Sequence, residues 1–126
     1  MRNFGIIIQA RSGSKRFPGK VYKKIDKKTT LEILLIRIKK IKSLKIIVAT
    51  TTYPRDEKIV NLSKKMGVFS FRGKEKDVLS RYYYCAEKYK LKHIIRLTGD
   101  CPLIDPSLVK KMIKLYSNSK YDYLSN

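Results

Sequence analysis

Short apolar runs alternate along this chain with stretches of helical periodicity. Phe4-Gly5-Ile6-Ile7-Ile8 is a continuous apolar run, the mark of a strand buried on both faces. From Thr29 to Lys42 the period changes. Leu31, Leu34, Leu35, Ile38 and Ile41 recur at helical spacing, and Thr29 with Glu32 forms a capping box. Lys45 to Thr50 predicts a second buried strand. Arg55 to Met66 predicts a helix, with Pro54 near its start and Gly67 just past its end. Val68 to Phe71 is a short strand, Asp77 to Tyr89 a third helix, and Lys92 to Leu97 another mostly apolar strand. Asp105-Pro106 reads as an N-cap followed by Pro at the first helical position, opening a fourth helix through Tyr116. Tyr121 to Leu124 is a candidate for one more strand.

Strands alternating with helices imply an α/β fold with a mostly parallel, layered sheet. Right-handed crossovers then put ligands at the carboxyl ends of the strands. Four segments follow those ends: Ala10 to Lys20, Thr50 to Pro54, Arg72 to Asp77, and Thr98 to Asp105. The pattern brings them to one edge. No repeat or low-complexity linker interrupts it, so residues 1–126 are read as one domain.

Composition narrows the class. A chain of 126 residues with 43% hydrophobic content can bury roughly two-thirds of its unfolded surface. No run approaches the ~18 apolar residues of a membrane span. Arg2 is followed by an apolar stretch too short for a secretory signal, so a cytoplasmic protein with no membrane partner is expected. Cys85 and Cys101 are too few for a disulfide framework, and Cys101 reads as a small buried filler. His93 is the one histidine, which leaves triads and His-rich metal sites without material. The charge is unusual, with 30 Lys and Arg against 10 Asp and Glu, a formal +20. Lysine doublets such as Lys39-Lys40, Lys64-Lys65 and Lys110-Lys111 look like solvated helix faces, so nucleic acid is expected to bind only non-specifically. Tyr82-Tyr83-Tyr84 points three ways on a helix and cannot form one stacking platform.

The most informative stretch is Ile8-Gln9-Ala10-Arg11-Ser12-Gly13-Ser14-Lys15-Arg16-Phe17-Pro18-Gly19-Lys20. Glycines let backbone N–H groups approach an anion, and cations neutralise it. A Walker A loop would need four residues between its glycines and a hydroxyl after the lysine. Here five residues separate Gly13 from Gly19, and Val21 follows Lys20. The dinucleotide fingerprint is absent too, and Pro18 sits inside the loop. Neither familiar phosphate loop fits.

Ala10, Arg11, Gly13, Ser14, Arg16, Pro18, Gly19 and Lys20 instead fall in register with the signature of the cytidylyltransferases that activate acidic sugars. The chain resembles the spore-coat polysaccharide type, related to the acylneuraminate and deoxy-octulosonate cytidylyltransferases. The resemblance continues in Val48-Ala49-Thr50-Thr51, in Phe71 to Leu79, in Arg96 to Asp105, and in Tyr121 to Asn126. It implies a three-layer, Rossmann-like nucleotidyltransferase fold of the glycosyltransferase-A-like kind, shortened at its C-terminus relative to the family. It also implies CTP and a sugar-acid acceptor as substrates, CMP-sugar and pyrophosphate as products, and Mg²⁺ as cofactor.

By that resemblance Arg11, Arg16 and Lys20 are the catalytic cations on the triphosphate, a task that guanidinium forks and a mobile ammonium suit. Ala10, Gly13 and Ser14 join them in the nucleotide-binding loop, Arg72, Gly73 and Asp77 form the base-recognition region, and Asp100 is the metal ligand. A lone carboxylate can hold Mg²⁺ while the ion keeps waters and binds phosphates. Asp105 reads as a helix cap, Arg81 as an ion-pair partner one turn beyond Asp77, and Arg96 as support for the metal loop. Relatives of this type extend beyond the equivalent of Asn126, where the sugar pocket lies. A homo-oligomer, or a complementing C-terminal half, is therefore an expected partner. Two alternatives remain open: an incomplete nucleotide-binding or scaffolding module, and a basic nucleic-acid binder.

Overall fold

The computed structural model describes residues 3–12, 24–25, 28–99 and 103–125. Four parallel strands form the central sheet: β1 (Phe4–Gln9), β4 (Lys45–Thr51), β5 (Phe69–Gly73) and β6 (His93–Thr98), in the order β5-β4-β1-β6. A small antiparallel pair, β2 (Lys24–Ile25) and β3 (Lys28–Thr29), stands apart from it. The helices are α1 (Thr30–Ile38), α2 (Glu57–Lys65), α3 (Val78–Lys88) and α4 (Pro106–Ser117), with one turn of 3-10 helix at Pro54–Asp56 leading into α2.

Register explains the apolar runs. Ile6, Ile7 and Ile8 of β1 stand beside Ile46, Ile47 and Val48 of β4, and beside Ile95, Arg96 and Leu97 of β6. Successive side chains face opposite sides of the sheet. Ile6, Ile8 and Val48 pack with Leu31, Leu34, Leu35 and Ile38 of α1, Ile59 of α2, and Val109 and Ile113 of α4. Ile7, Ile47 and Ala49 face the other way, onto Tyr82, Cys85 and Ala86 of α3. This is the expected three-layer α/β fold, with both faces of its central strands covered.

The caps follow the sequence closely. Thr29 Oγ1 accepts from Glu32 N–H at 3.1 Å, Asp77 Oδ1 from Ser80 N–H at 3.0 Å, and Asp105 Oδ1 from Ser107 N–H at 2.8 Å. Gly67 ends α2 with φ +72°, while its N–H reaches Lys64 O at 3.1 Å and Val68 N–H reaches Ser63 O at 3.0 Å. That pairing needs a left-handed residue, which glycine supplies without steric cost. Lys90 occupies the equivalent place after α3 with φ 56°.

Three boundaries differ from expectation. The first helix stops at Ile38, after which Lys40 and Ile41 turn tightly with N–H groups bonded to Arg37 O and Ile38 O. Ile41 remains buried, so its helical spacing reflected core contact beyond the helix end. The second helix begins as 3-10 structure because Pro54 directs its first turn. Residues 121–124 form no strand; Tyr121 and Tyr123 are exposed and lie against no sheet neighbour that would order them.

Candidate active site

The carboxyl ends of β1 and β4 meet around a buried carboxylate, Asp56, which is 0% exposed. Its Oδ1 accepts from Ser12 N–H at 2.9 Å and from Ser12 Oγ at 2.6 Å. Its Oδ2 accepts from Thr51 Oγ1, which in turn accepts from Tyr53 N–H at 3.2 Å. One carboxylate thus ties the residue after Arg11, at the head of the glycine-rich loop, to the end of β4. Burial pushes its pKa up. The hydrogen bonds from Ser12 and Thr51 and the charge of Arg55 outweigh that and hold it below the ordinary value.

Ala10 continues β1, its N–H donating to Ala49 O at 3.0 Å. Gly99 closes on the other side, donating to Gln9 O at 2.7 Å. A Cβ on Gly99 would stand 2.9 Å from that of Ala10, so the ends of β6 and β1 approach closely because residue 99 has no side chain.

Above this edge lies a layer of arginines. Arg11 Nη1 pairs with Glu75 Oε1 at 3.0 Å, and Arg55 Nη2 reaches Glu75 Oε2 at 3.1 Å. Glu75 therefore bridges the loop after β1 to the turn after β4. The Arg55 guanidinium lies over the Tyr53 ring, 4.4 Å from its centre. Arg72 aims its whole fork at protein acceptors: Nε to Thr51 O at 2.8 Å, Nη2 to Tyr53 O at 2.6 Å, and Nη1 to Glu57 at 2.5 Å. In this state it clamps the β4 exit to β5.

Arg81, in the first turn of α3, is different. It is 1% exposed, and its Nε, Nη1 and Nη2 find no hydrogen-bond partner among the described residues. Its stem runs beneath Gly73, where a Cβ would come within 2.7 Å of Arg81 Cγ. Burial, then the charge of Arg11, lowers its pKa, while Tyr82, Glu75 and Asp56 oppose the shift. The expected ion pair with Asp77 is not formed. Asp77 instead spends its carboxylate on capping α3, and Arg81 turns inward under the sheet edge.

Of the residues singled out in the sequence, Ala10, Arg11, Arg72, Gly73 and Asp77 all lie along this carboxyl edge. Gly13, Ser14, Arg16, Lys20 and Asp100 fall outside the described residues, as does Cys101. Arg96 stacks over Tyr82 at 4.9 Å and so supports the α3 face of the sheet. Tyr82 is buried while Tyr83 and Tyr84 are exposed, as three successive helical positions require. His93 opens β6 and packs on Phe4. Cys85 is buried, and desolvation pushes its thiol up to about 11, which leaves it protonated and inert. Among the described residues no cluster of three or more His, Cys, Asp or Glu side chains could hold a metal, and no helix is long and apolar enough to cross a membrane.

Sequence reasoning missed Asp56, Ser12 and Glu75. The available signal was a carboxylate five residues beyond a strand-end threonine, in Thr51-Thr52-Tyr53-Pro54-Arg55-Asp56. Nothing in the sequence alone pairs it with Ser12.

A parallel α/β sheet that gathers the exits of β1, β4 and β5 and an arginine layer at its carboxyl edge has the build of a nucleotidyltransferase. Residues 5–126 match the family described as Cytidylyltransferase, and the chain belongs to that family. An uncharacterized protein of Methanocaldococcus jannaschii is 48% identical over 120 residues, covering 94% of this chain and 49% of that protein. The spore coat polysaccharide biosynthesis protein SpsF of Bacillus subtilis is 36% identical, covering all of this chain and 55% of SpsF. An 8-amino-3,8-dideoxy-manno-octulosonate cytidylyltransferase of Shewanella is 34% identical over 90% of this chain and 47% of its own length. Among solved structures, a cytidylyltransferase from Leptospira borgpetersenii superposes with a TM-score of 0.90 at 40% identity, covering 95% of this chain and 51% of that one. The chain thus spans about half the length of these relatives.

Proposed function

We propose that this chain is the nucleotide-binding half of an enzyme that transfers CMP from CTP to a sugar acid, giving a CMP-sugar and pyrophosphate for surface polysaccharide synthesis. The observation that carries the reading is the anchoring of the loop after β1. Asp56 fixes Ser12 through two hydrogen bonds, directly between Arg11 and the glycine-rich stretch. Family membership and the acidic-sugar chemistry of the Shewanella relative support the same reading.

In this scheme Arg11, Arg16 and Lys20 hold the triphosphate and balance the charge that develops on departing pyrophosphate. Positioning and electrostatics of that kind supply most of the catalysis in such a transfer. Ala10, Gly13 and Ser14 bring backbone to the phosphates, and Arg72, Gly73 and Asp77 frame the base. Cytidylyltransferases generally use a divalent metal, and a single carboxylate beside substrate phosphates suits Mg²⁺. Asp100 follows Gly99 in the chain, and Gly99 N–H donates to Gln9 O. Asp100 is accordingly the residue to hold Mg²⁺, which when bound would polarise the phosphates.

A second reading is favoured by the coverage of 47–55% of the relatives. On it the chain binds CTP and reaches turnover only with a second copy or a complementing half. Calorimetric titration with CTP, UTP, ATP and GTP, with and without Mg²⁺ at physiological salt, tests the core of both. Selective, metal-enhanced CTP binding that is weakened in Arg16→Ala, Lys20→Ala and Asp100→Asn is expected. Equal, salt-sensitive binding of all four nucleotides would reduce the interaction to attraction by the +20 charge. Pyrophosphate release with a deoxy-octulosonate acceptor then separates a complete enzyme from a half.

A further inference from the structure

Glu75, in the loop between β5 and α3, joins two arginines. Its Oε1 accepts from Arg11 Nη1 at 3.0 Å, while Arg55 Nη2 reaches both carboxylate oxygens, Oε1 at 3.2 Å and Oε2 at 3.1 Å. The Glu75 side chain is 18% exposed, against 30% for Arg11 and 49% for Arg55. Arg55 is steadied in turn by the Tyr53 ring, whose centre lies 4.4 Å from its guanidinium. A chain of contacts thus runs from Tyr53 through Arg55 and Glu75 to Arg11, the cation at the head of the glycine-rich loop.

From this geometry we infer that Glu75 is a positioning residue: held by Arg55, it fixes the Arg11 guanidinium in the place where the triphosphate is bound. The inference rests on the nucleotide-binding reading above, and adds to it a carboxylate that acts through Arg11.

A carboxylate beside a triphosphate site calls for a reason, since like charges repel. Two roles are open to it. It is either a placeholder that sits on Arg11 until phosphate displaces it, or a fixed strut that stays. Arg55 decides between them. It engages both Glu75 oxygens, so the carboxylate keeps a partner and a place whatever Arg11 does. A placeholder would be held by Arg11 alone. The strut has a clear use, because a long side chain loses rotamer freedom when it grips an anion, and a guanidinium already fixed has lost it beforehand. The five N–H donors lie in one rigid plane, so holding Nη1 orients the rest of the fork. Arg11 meanwhile keeps part of its surface open to an incoming ligand.

The test is calorimetry with CTP and inorganic tripolyphosphate on the parent, Glu75→Gln, Arg11→Met and the double variant, beside thermal melts without ligand. Removing a negative charge next to a phosphate site would, by Coulomb attraction alone, tighten both ligands. Positioning predicts the opposite sign. Glu75→Gln should weaken CTP and tripolyphosphate about 3- to 10-fold each, the effect of leaving one long side chain to be ordered by the ligand. In the Arg11→Met background the same change should leave affinity level or raised, because the arginine through which Glu75 acts is gone. Arg55→Met loosens the carboxylate from its other end. It should weaken both ligands about 2- to 3-fold, again only while Arg11 is present, and it decides the matter if Glu75→Gln does not fold.

Tighter binding by Glu75→Gln would make the carboxylate a placeholder and overturn the inference. An equal loss with and without Arg11, accompanied by a lower melting temperature, would assign Glu75 a structural role and overturn it too. Unchanged affinity would show that Arg11 needs no strut. These three outcomes leave the nucleotide-binding reading intact. Failure of the parent to bind either ligand would overturn that reading, and the inference with it.

Discussion

Replacing Asp56 with asparagine isolates the contact that joins the glycine-rich loop to the sheet. The native carboxylate accepts three hydrogen bonds, two from Ser12 and one from Thr51, in a fully buried position. In Asp56→Asn the side-chain oxygen can keep Ser12, but the amide then faces Thr51 Oγ1, which already accepts from Tyr53 N–H. The Thr51 hydroxyl loses its acceptor, and the two Ser12 bonds lose their charge. Hydrogen bonds to charged groups contribute about 1.5–3 kcal/mol each, and removing the carboxylate also relieves its own desolvation. The balance is a loss of about 2 kcal/mol, or roughly 8 °C in melting temperature for a domain of this size. Calorimetric melts of parent, Asp56→Asn, Thr51→Val and the double variant measure it. The pair should couple by about 1 kcal/mol, as directly bonded groups do. A variant melting within about 2 °C of the parent, or strict additivity with Thr51→Val, would refute the reasoning. CTP affinity should fall as well, because Ser12 is released beside Arg11.

Three further outcomes follow from particular groups. The Asp56 pKa is held below its unfolded value, so its stabilisation is fully present above about pH 4 and is lost as pH falls through the folded value. Urea midpoints of parent and Asp56→Asn should therefore converge as pH falls below about 4, and a constant gap would contradict this. Lys90 ends α3 in the left-handed region with φ 56°. Lys90→Gly should stabilise by about 0.5–1 kcal/mol after the extra freedom of the unfolded chain is allowed for, whereas a lower urea midpoint would refute it. The Cys85 thiol, raised to about 11 by burial, should resist iodoacetamide at pH 8 in the folded protein and react once urea unfolds it. Rapid native labelling would show that α3 opens far more readily than its packing implies.

The layers were legible because burial imposes its period on the chain. The triple isoleucine of β1 sits in the middle of the sheet with neighbours on both edges, so no polar residue is tolerated there. Capping was legible for the same local reason at Thr29 and Asp105, which bond to N–H groups two or three residues ahead. The misreadings fell where local pattern and tertiary contact part company. Ile41 keeps helical spacing although the helix has ended, since a tight turn still delivers it to the core. The strand expected near Tyr121 had β-forming residues, yet the segment pairs with neither edge strand, β5 or β6.

The site was legible only as a set of segments, because the interactions that make it a site join residues far apart in the chain. Ser12 and Asp56 are 44 residues apart, and Arg11 and Glu75 are 64 apart. Parallel topology explains why such distant segments can still be assigned to one place. Every strand of the sheet runs the same way, so every loop after a strand emerges at the same edge. What topology leaves open is which side chain turns outward to solvent and which turns inward. Arg81 shows the consequence. Helical spacing from Asp77 made an exposed ion pair the natural reading, but Asp77 was already committed to capping its helix. The arginine, left without that partner and facing a glycine in place of a side chain, lies under the strand ends, where its donors wait for an acceptor the described fold does not supply.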